Sequence, residues 1–128
     1  MKRPDIDSVL APLKTFQRRT VEHAFYRMFH ADDSTGRFLV ADEVGLGKTL
    51  VARGVISRAV DKLWQDVDRI DVIYICSNQS IARSNLPKLR ITGDNQVSFS
   101  LASRLTMLAT ELAPREGQLG LAGSKLNF

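Results

Sequence analysis

Residues 38 to 49 read Phe38-Leu39-Val40-Ala41-Asp42-Glu43-Val44-Gly45-Leu46-Gly47-Lys48-Thr49. The stretch begins as a short apolar run, passes through a glycine-rich turn that ends in Gly-Lys-Thr, and continues into apolar residues at helical spacing from about Lys48. A buried strand, a glycine-rich turn and a helix in this order are typical of a phosphate-binding loop. The sequence therefore predicts a nucleoside triphosphate site at this turn.

The residues of this loop have separate predicted roles. Backbone N–H groups would surround the β- and γ-phosphates, together with the positive end of the following helix dipole. Gly47 is expected to need a positive φ. Lys48 would place its charge against the phosphate oxygens, and Thr49 would offer its hydroxyl to Mg²⁺. The predicted nucleotide-binding residues of the loop are Val44, Gly45, Leu46, Gly47, Lys48 and Thr49, and Thr49 is also the predicted metal ligand.

Asp42 departs from the generic pattern, which has glycine five positions before Gly47. An alternative interpretation is an ordinary turn between a strand and a helix, followed by Lys-Thr by chance. That alternative requires two glycines, the Lys-Thr pair and both flanking elements to coincide. We therefore favour the phosphate loop.

The rest of the chain alternates between predicted helices and strands. Helical spacing covers residues 15–30, with Thr15 as a possible N-cap, and residues 71–76 read as a second buried strand. A helix broken at Pro87, a short third strand at residues 96–100 and a helix near residues 101–112 follow. This order predicts an α/β fold, a parallel sheet with helices on both faces. We expect one domain over residues 1–113 and a poorly ordered tail over residues 114–128.

Composition limits the class of protein. Hydrophobic residues at 44% and charged residues at 25% are typical of a soluble globular chain, and no apolar run approaches the ~18 residues of a membrane span. The single cysteine, Cys76, fits a reducing cytoplasm and is expected to be a small buried residue. The net charge of +4 is compatible with nucleic acid, but it equally suits a merely basic surface.

The stretch Asp42-Glu43-Val44-Gly45-Leu46-Gly47-Lys48-Thr49 closely resembles motif I of the Swi/Snf group of superfamily-2 helicase-like ATPases. In that group Asp is the expected residue at position 42, so the departure from the generic pattern supports the resemblance. The resemblance implies part of a RecA-like motor domain that binds ATP and Mg²⁺. It covers roughly residues 13–90, the first half of such a domain.

Upstream, Leu13-Lys14-Thr15-Phe16-Gln17 is similar to the Q motif of this family. The resemblance implies that Gln17 hydrogen-bonds the adenine edge and so selects ATP over other triphosphates. A carboxamide has a paired donor and acceptor suited to adenine. The alternative is a glutamine that faces solvent at the start of a helix.

Downstream, Ser77-Asn78-Gln79-Ser80-Ile81-Ala82-Arg83 follows the second predicted strand, where motif Ia lies in this family. The resemblance implies contact with the backbone of a nucleic-acid strand, expected to be DNA. The residues concerned are Asn78, Gln79, Ser80 and Arg83. The alternative is a capped helix with a solvated basic face.

Hydrolysis in this family needs a later Asp-Glu pair, motif II, which would support Mg²⁺ and orient the attacking water. The pair Asp42-Glu43 lies inside the phosphate loop, and no strand is followed by another. We expect the ATP-binding portion of a helicase-like DNA translocase, truncated before motif II and completed by the remainder of the motor or a partner subunit. The alternative is a non-catalytic module that binds nucleotide, DNA or a partner without turnover.

Overall fold

The computed structural model describes residues 3–93 and 125–128. Its elements are α1 (Ile6–Leu10), α2 (Thr15–Phe29), α3 (Lys48–Leu63), β1 (Ile70–Asp71), α4 (Gln79–Asn85), a 3₁₀ helix (Leu86–Leu89) and β2 (Leu126–Asn127). The two strands run parallel, with Ile70 opposite Leu126. This part of the chain is therefore α/β, with a small parallel sheet. None of its helices is both long and apolar enough to cross a membrane.

The helices α2 and α3 pack directly against each other and carry the loop between them. Gly54 permits the close approach, since a Cβ at that position would lie 2.6 Å from Val21 Cγ2. Val21 and Val51 join Leu13 in a small buried cluster at this contact. The predicted helix over residues 15–30 is confirmed, although Lys14 and not Thr15 is the N-cap.

A larger buried cluster lies towards the C-terminal end of α3. Its members are Val9, Val60, Ile70, Leu89, Ile91, Leu126 and Phe128. Trp64 packs against it, and the 3₁₀ helix that contains Pro87 contributes Leu89. The predicted break at Pro87 is confirmed, because α4 ends at Asn85 and the chain tightens into the 3₁₀ helix. Since α3 contributes to both clusters, its position determines where the preceding loop lies.

The last residues of the chain belong to the core. Leu126 is 0% exposed, and Asn127 Nδ2 donates to Asp71 Oδ1 at 3.0 Å. Lys125 Nζ donates to the Val67 carbonyl at 2.6 Å. Leu126 and Phe128 complete the cluster beside β1. Residues 125–128 therefore lie in the core, which differs from the poorly ordered tail predicted over residues 114–128. The remainder of that tail, the predicted strand at 96–100 and the predicted helix near 101–112 lie outside the described residues.

Of the two predicted buried strands, the first is not formed and the second is formed only at its start. Residues 38–41 have no strand assignment, and Leu39 is 83% exposed. In the second, residues 71–76, Asp71 pairs with Asn127 and the Val72 N–H donates to the Asn127 carbonyl at 2.9 Å. The strand pairing between described residues extends no further, and Ile73 and Ile75 are 54% and 70% exposed. Val40 packs on the cluster between α2 and α3, and Val72 and Tyr74 pack on the larger cluster. Most of the remaining side chains of the two segments are exposed. The expectation that Cys76 is buried fails for the same reason, since it is exposed at the end of the second segment.

Candidate functional site

The loop before α3 has the backbone shape that its glycines predict. Gly45 has φ 90° and Gly47 has φ 83°, both in the left-handed region that favours glycine. The expected positive φ at Gly47 is confirmed. Gly47 is the N-cap of α3, which begins at Lys48 as predicted. The helix therefore starts at the point where the loop ends, and its first N–H groups face the loop.

Four carbonyl groups of the loop, those of Asp42, Glu43, Leu46 and Gly47, accept hydrogen bonds within the protein. Lys48 Nζ donates to the carbonyl oxygens of Asp42 and Glu43, at 2.8 and 2.9 Å. The Gly47 carbonyl accepts from the N–H groups of Leu50 and Val51, at 2.9 and 3.1 Å. The side chain of Lys48 thus folds back across the loop and closes it from one side.

The N–H groups of the loop are arranged differently from its carbonyls. Five of the six N–H groups of residues 44–49 have no hydrogen-bond acceptor within residues 3–93 and 125–128. They belong to Val44, Gly45, Gly47, Lys48 and Thr49. Unpaired backbone donors next to a helix N-terminus attract anions. The loop is also accessible, with Val44 98% exposed at its tip.

Gln17 reaches this loop from the first turn of α2. Its Oε1 accepts from Lys14 N at 2.9 Å, and its Nε2 donates to the Leu46 carbonyl at 2.9 Å. The residue is 5% exposed. The alternative of a solvent-facing glutamine is therefore wrong, and the structure brings Gln17 and the predicted phosphate-binding residues together in one site.

The residues present fit a magnesium nucleotide. The Thr49 hydroxyl makes no hydrogen bond within the described part of the chain, and Thr49 lies in the first turn of α3 beside Lys48. Those residues contain no group of three or more His, Cys, Asp or Glu side chains that could hold a metal ion. Mg²⁺ commonly needs few protein ligands when phosphate oxygens supply the rest. Thr49 with a bound triphosphate is the arrangement that suits these side chains.

The second predicted site, after residue 76, forms a short and exposed helix. Asn78 caps α4, and its Oδ1 accepts from the N–H groups of Ser80 and Ile81 at 2.8 and 3.4 Å. No residue of α4 is buried. Gln79, Ser80 and Arg83 are exposed on it. This geometry fits a surface that contacts the backbone of a nucleic-acid strand. It equally fits the alternative of a capped helix with a solvated basic face.

Sequence reasoning missed the protein's own contacts to the loop. The backbone N–H of Lys14 and the carbonyls of Asp42, Glu43 and Leu46 hold Gln17 and Lys48 in place. One signal was present, because Gln17 is the third residue of α2 and a Gln there often accepts from the N-cap N–H. The carbonyl partners carry no sequence signal, since every residue has that group.

Comparison of the chain with protein-family models, with curated proteins and with solved structures finds no match in any of the three. The interpretation of this site therefore depends on the residues of the loop and on their geometry.

Proposed function

We propose that residues 42–49 bind Mg·ATP, and that the chain is the nucleotide-binding part of a DNA translocase similar to the Swi/Snf group. The observation that supports this best is the division of polar groups in the loop. Four of its carbonyls accept hydrogen bonds from Lys48, Gln17 and α3. By contrast, five of the six N–H groups of residues 44–49 have no acceptor among the described residues. Unpaired N–H groups at a helix start are suited to phosphate oxygens.

The other loop residues have roles that follow from their positions. Lys48 Nζ already lies across the loop, so it exchanges its contacts to two neutral carbonyls for stronger contacts to phosphate oxygens. Thr49 offers its hydroxyl to Mg²⁺. A RecA-like arrangement is part of the proposal, because α3 follows the loop directly and the described strands are parallel.

Hydrolysis is not proposed for these residues alone. The sequence contains one Asp-Glu pair, Asp42-Glu43, and it lies within the loop. A carboxylate that positions the attacking water must face the γ-phosphate from a separate element. Turnover would therefore require the remainder of a motor or a partner subunit. The second candidate function is a nucleotide- or DNA-binding module without turnover, which uses the same site. It is favoured because the only Asp-Glu pair in the sequence, Asp42-Glu43, lies inside the loop.

Contact with DNA is proposed for residues 78–83. Arg83 and the polar side chains of α4 are exposed, and the helix contributes nothing to the buried core. Hydroxyl, amide and guanidinium groups on such a surface contact phosphates and not bases. The expected interaction is therefore independent of DNA sequence.

The nucleotide site is tested by measuring Mg·ATP affinity calorimetrically for the wild-type chain and Lys48→Ala. Loss of a charged hydrogen-bonding group should weaken binding by about 100-fold. Lys62→Ala is the matched control, because Lys62 is an exposed lysine in the last turn of the same helix. It should change the affinity by less than about twofold. Equal binding by wild type and Lys48→Ala would show that the loop is not a phosphate site.

The DNA contact is tested by measuring affinity for single- and double-stranded DNA at two salt concentrations. Phosphate contacts release counterions, so the affinity should fall as salt rises. Arg83→Ala should reduce the slope of log affinity against log salt by about one. A slope near zero for the wild-type chain would contradict the proposal.

A further inference from the structure

We infer that Gln17 is a positioning residue for the phosphate loop. Its side chain holds the loop in the conformation that binds phosphate, and this effect does not depend on the base of the nucleotide. This inference rests on the proposed triphosphate site. It differs from the adenine-reading role that the family resemblance implies for the same side chain.

The first supporting observation is the pair of hydrogen bonds made by the Gln17 carboxamide. The bond from Lys14 N to Oε1, at 2.9 Å, fixes the amide plane against the first turn of α2. The bond from Nε2 to the Leu46 carbonyl, also 2.9 Å, then ties that turn to the loop. Both ends of one planar group are held, so the carboxamide acts as a short rigid link between α2 and the loop.

The second observation is where this link meets the loop. A Cβ at Gly47 would overlap Gln17 Nε2, so the amide lies directly against the backbone at the start of α3. In a planar trans peptide the carbonyl and the following N–H point in opposite directions. By holding the Leu46 carbonyl towards α2, Gln17 turns the Gly47 N–H to the opposite side. That N–H is one of the five proposed phosphate donors.

The third observation is burial. Gln17 is 5% exposed, and each end of its carboxamide already has a protein partner. Reading a base requires a donor and an acceptor presented together to the base edge. The Gln17 carboxamide directs its oxygen to α2 and its nitrogen to the loop. The side chain therefore acts on the loop and not on a base.

The binding experiment uses the full 128-residue chain with Mg·ATP, Mg·GTP and magnesium tripolyphosphate, which carries no base. Gln17→Ala removes both contacts, whereas Gln17→Glu keeps the size and the acceptor for Lys14 N but removes the donor. Each variant should weaken all three ligands equally, by about fivefold, the factor expected for one neutral hydrogen bond. Gln65→Ala, at an exposed site far along the chain, should bind as wild type does. A loss confined to ATP would overturn the inference.

A second measurement needs no ligand and separates this inference from the proposed function. Backbone N–H order parameters at Leu46 and Gly47 should fall from about 0.85 to below about 0.6 in both Gln17 variants, and should not change in Gln65→Ala. Unchanged order parameters would overturn the positioning role. If the wild-type chain binds no triphosphate, the proposed function fails, and the order parameters still decide whether Gln17 positions the loop.

Discussion

Two segments of the chain have similar sequences and different surroundings: residues 38–41, which precede the phosphate loop, and residues 72–76, which precede α4. Each is apolar, and each contains residues packed on a buried cluster beside residues that are exposed. Val40 packs on the cluster between α2 and α3, whereas Val72 and Tyr74 pack on the larger cluster beside β1. The first segment is thus held by helices, and the second follows directly from a strand.

The difference extends to the functional residues that follow each segment. The phosphate loop is tied to helices by Gln17 and by Lys48. By contrast, α4 has its own cap at Asn78. Side-chain hydrogen bonds link it back to the segment, from Asn85 Nδ2 to the Tyr74 hydroxyl at 3.1 Å and from Cys76 Sγ to the Asn78 carbonyl at 3.0 Å. The loop is therefore preorganised by contacts that do not depend on strand pairing. The surface around α4 has far less support.

The largest expected effect concerns Leu126, which packs beside β1, the strand that leads into the second segment. Leu126 is fully buried opposite Ile70, so Leu126→Ala should lower the free energy of unfolding by about 3 kcal/mol through lost packing and a cavity. Leu39→Ala is the same substitution in the first segment, at a side chain that is 83% exposed. It should change the free energy of unfolding by less than about 0.5 kcal/mol. Urea unfolding monitored by circular dichroism measures both. Equal effects would show that Leu39 is covered in solution.

The next effect compares two glycines of the loop that have nearly the same φ. Alanine at Gly45, φ 90°, meets no atom within 4 Å, so it bears only the cost of a left-handed residue, about 1 kcal/mol. Alanine at Gly47 bears that cost and also displaces Gln17 Nε2. Gly47→Ala should therefore lower the free energy of unfolding by about 2 kcal/mol or more. If the two variants lose the same stability in urea unfolding, the Gln17 contact adds nothing to the loop.

The sequence predicted the loop better than the segment before it, for physical reasons. Gly47 and Lys48 predicted a left-handed turn and a helix start because glycine conformation and helix periodicity are local properties. Burial of Leu39 or Ile75 depends on which elements lie on each face of a sheet, and an apolar run does not specify those elements. The pairing of Ile70 with Leu126 is likewise non-local, so a glycine-rich end of the chain gave no sign of it.

A smaller effect tests the weaker support of α4. Asn78→Ala removes the acceptor for two N-terminal N–H groups of this helix, a change that typically costs about 1 kcal/mol of helix stability. Because α4 buries no residue, the loss should appear as faster amide exchange in residues 79–85 and not in α3. Asn78→Asp keeps an acceptor and should restore protection. Exchange that rises equally in α3 would show that the two regions are one cooperative unit.

The smallest effect concerns the turn that leads from α2 into the first segment. Arg27 donates two hydrogen bonds to Asp33, at 2.8 and 3.2 Å. These bonds, followed by the charge attraction of the same guanidinium, hold the pKa of Asp33 below its ordinary value of 3.8. Since the folded pKa is lowered, the stabilising contribution is complete above that ordinary value and is lost as pH falls through the folded pKa. The group is fully exposed, so the effect on unfolding should be small.

The Asp33 carboxyl can be followed directly by carbon-13 NMR during an acid titration. In Arg27→Ala its pKa should rise towards the ordinary value, because the donor and the charge are both lost. Arg19→Ala removes an exposed arginine from the same helix and should leave the titration unchanged. An Asp33 pKa that is the same in wild type and Arg27→Ala would mean that the ion pair is absent in solution. The turn would then enter the first segment without this link to α2, and the support that α2 gives the segment would begin at Phe38, whose ring lies edge-on to that of His23 with the ring centroids 5.5 Å apart.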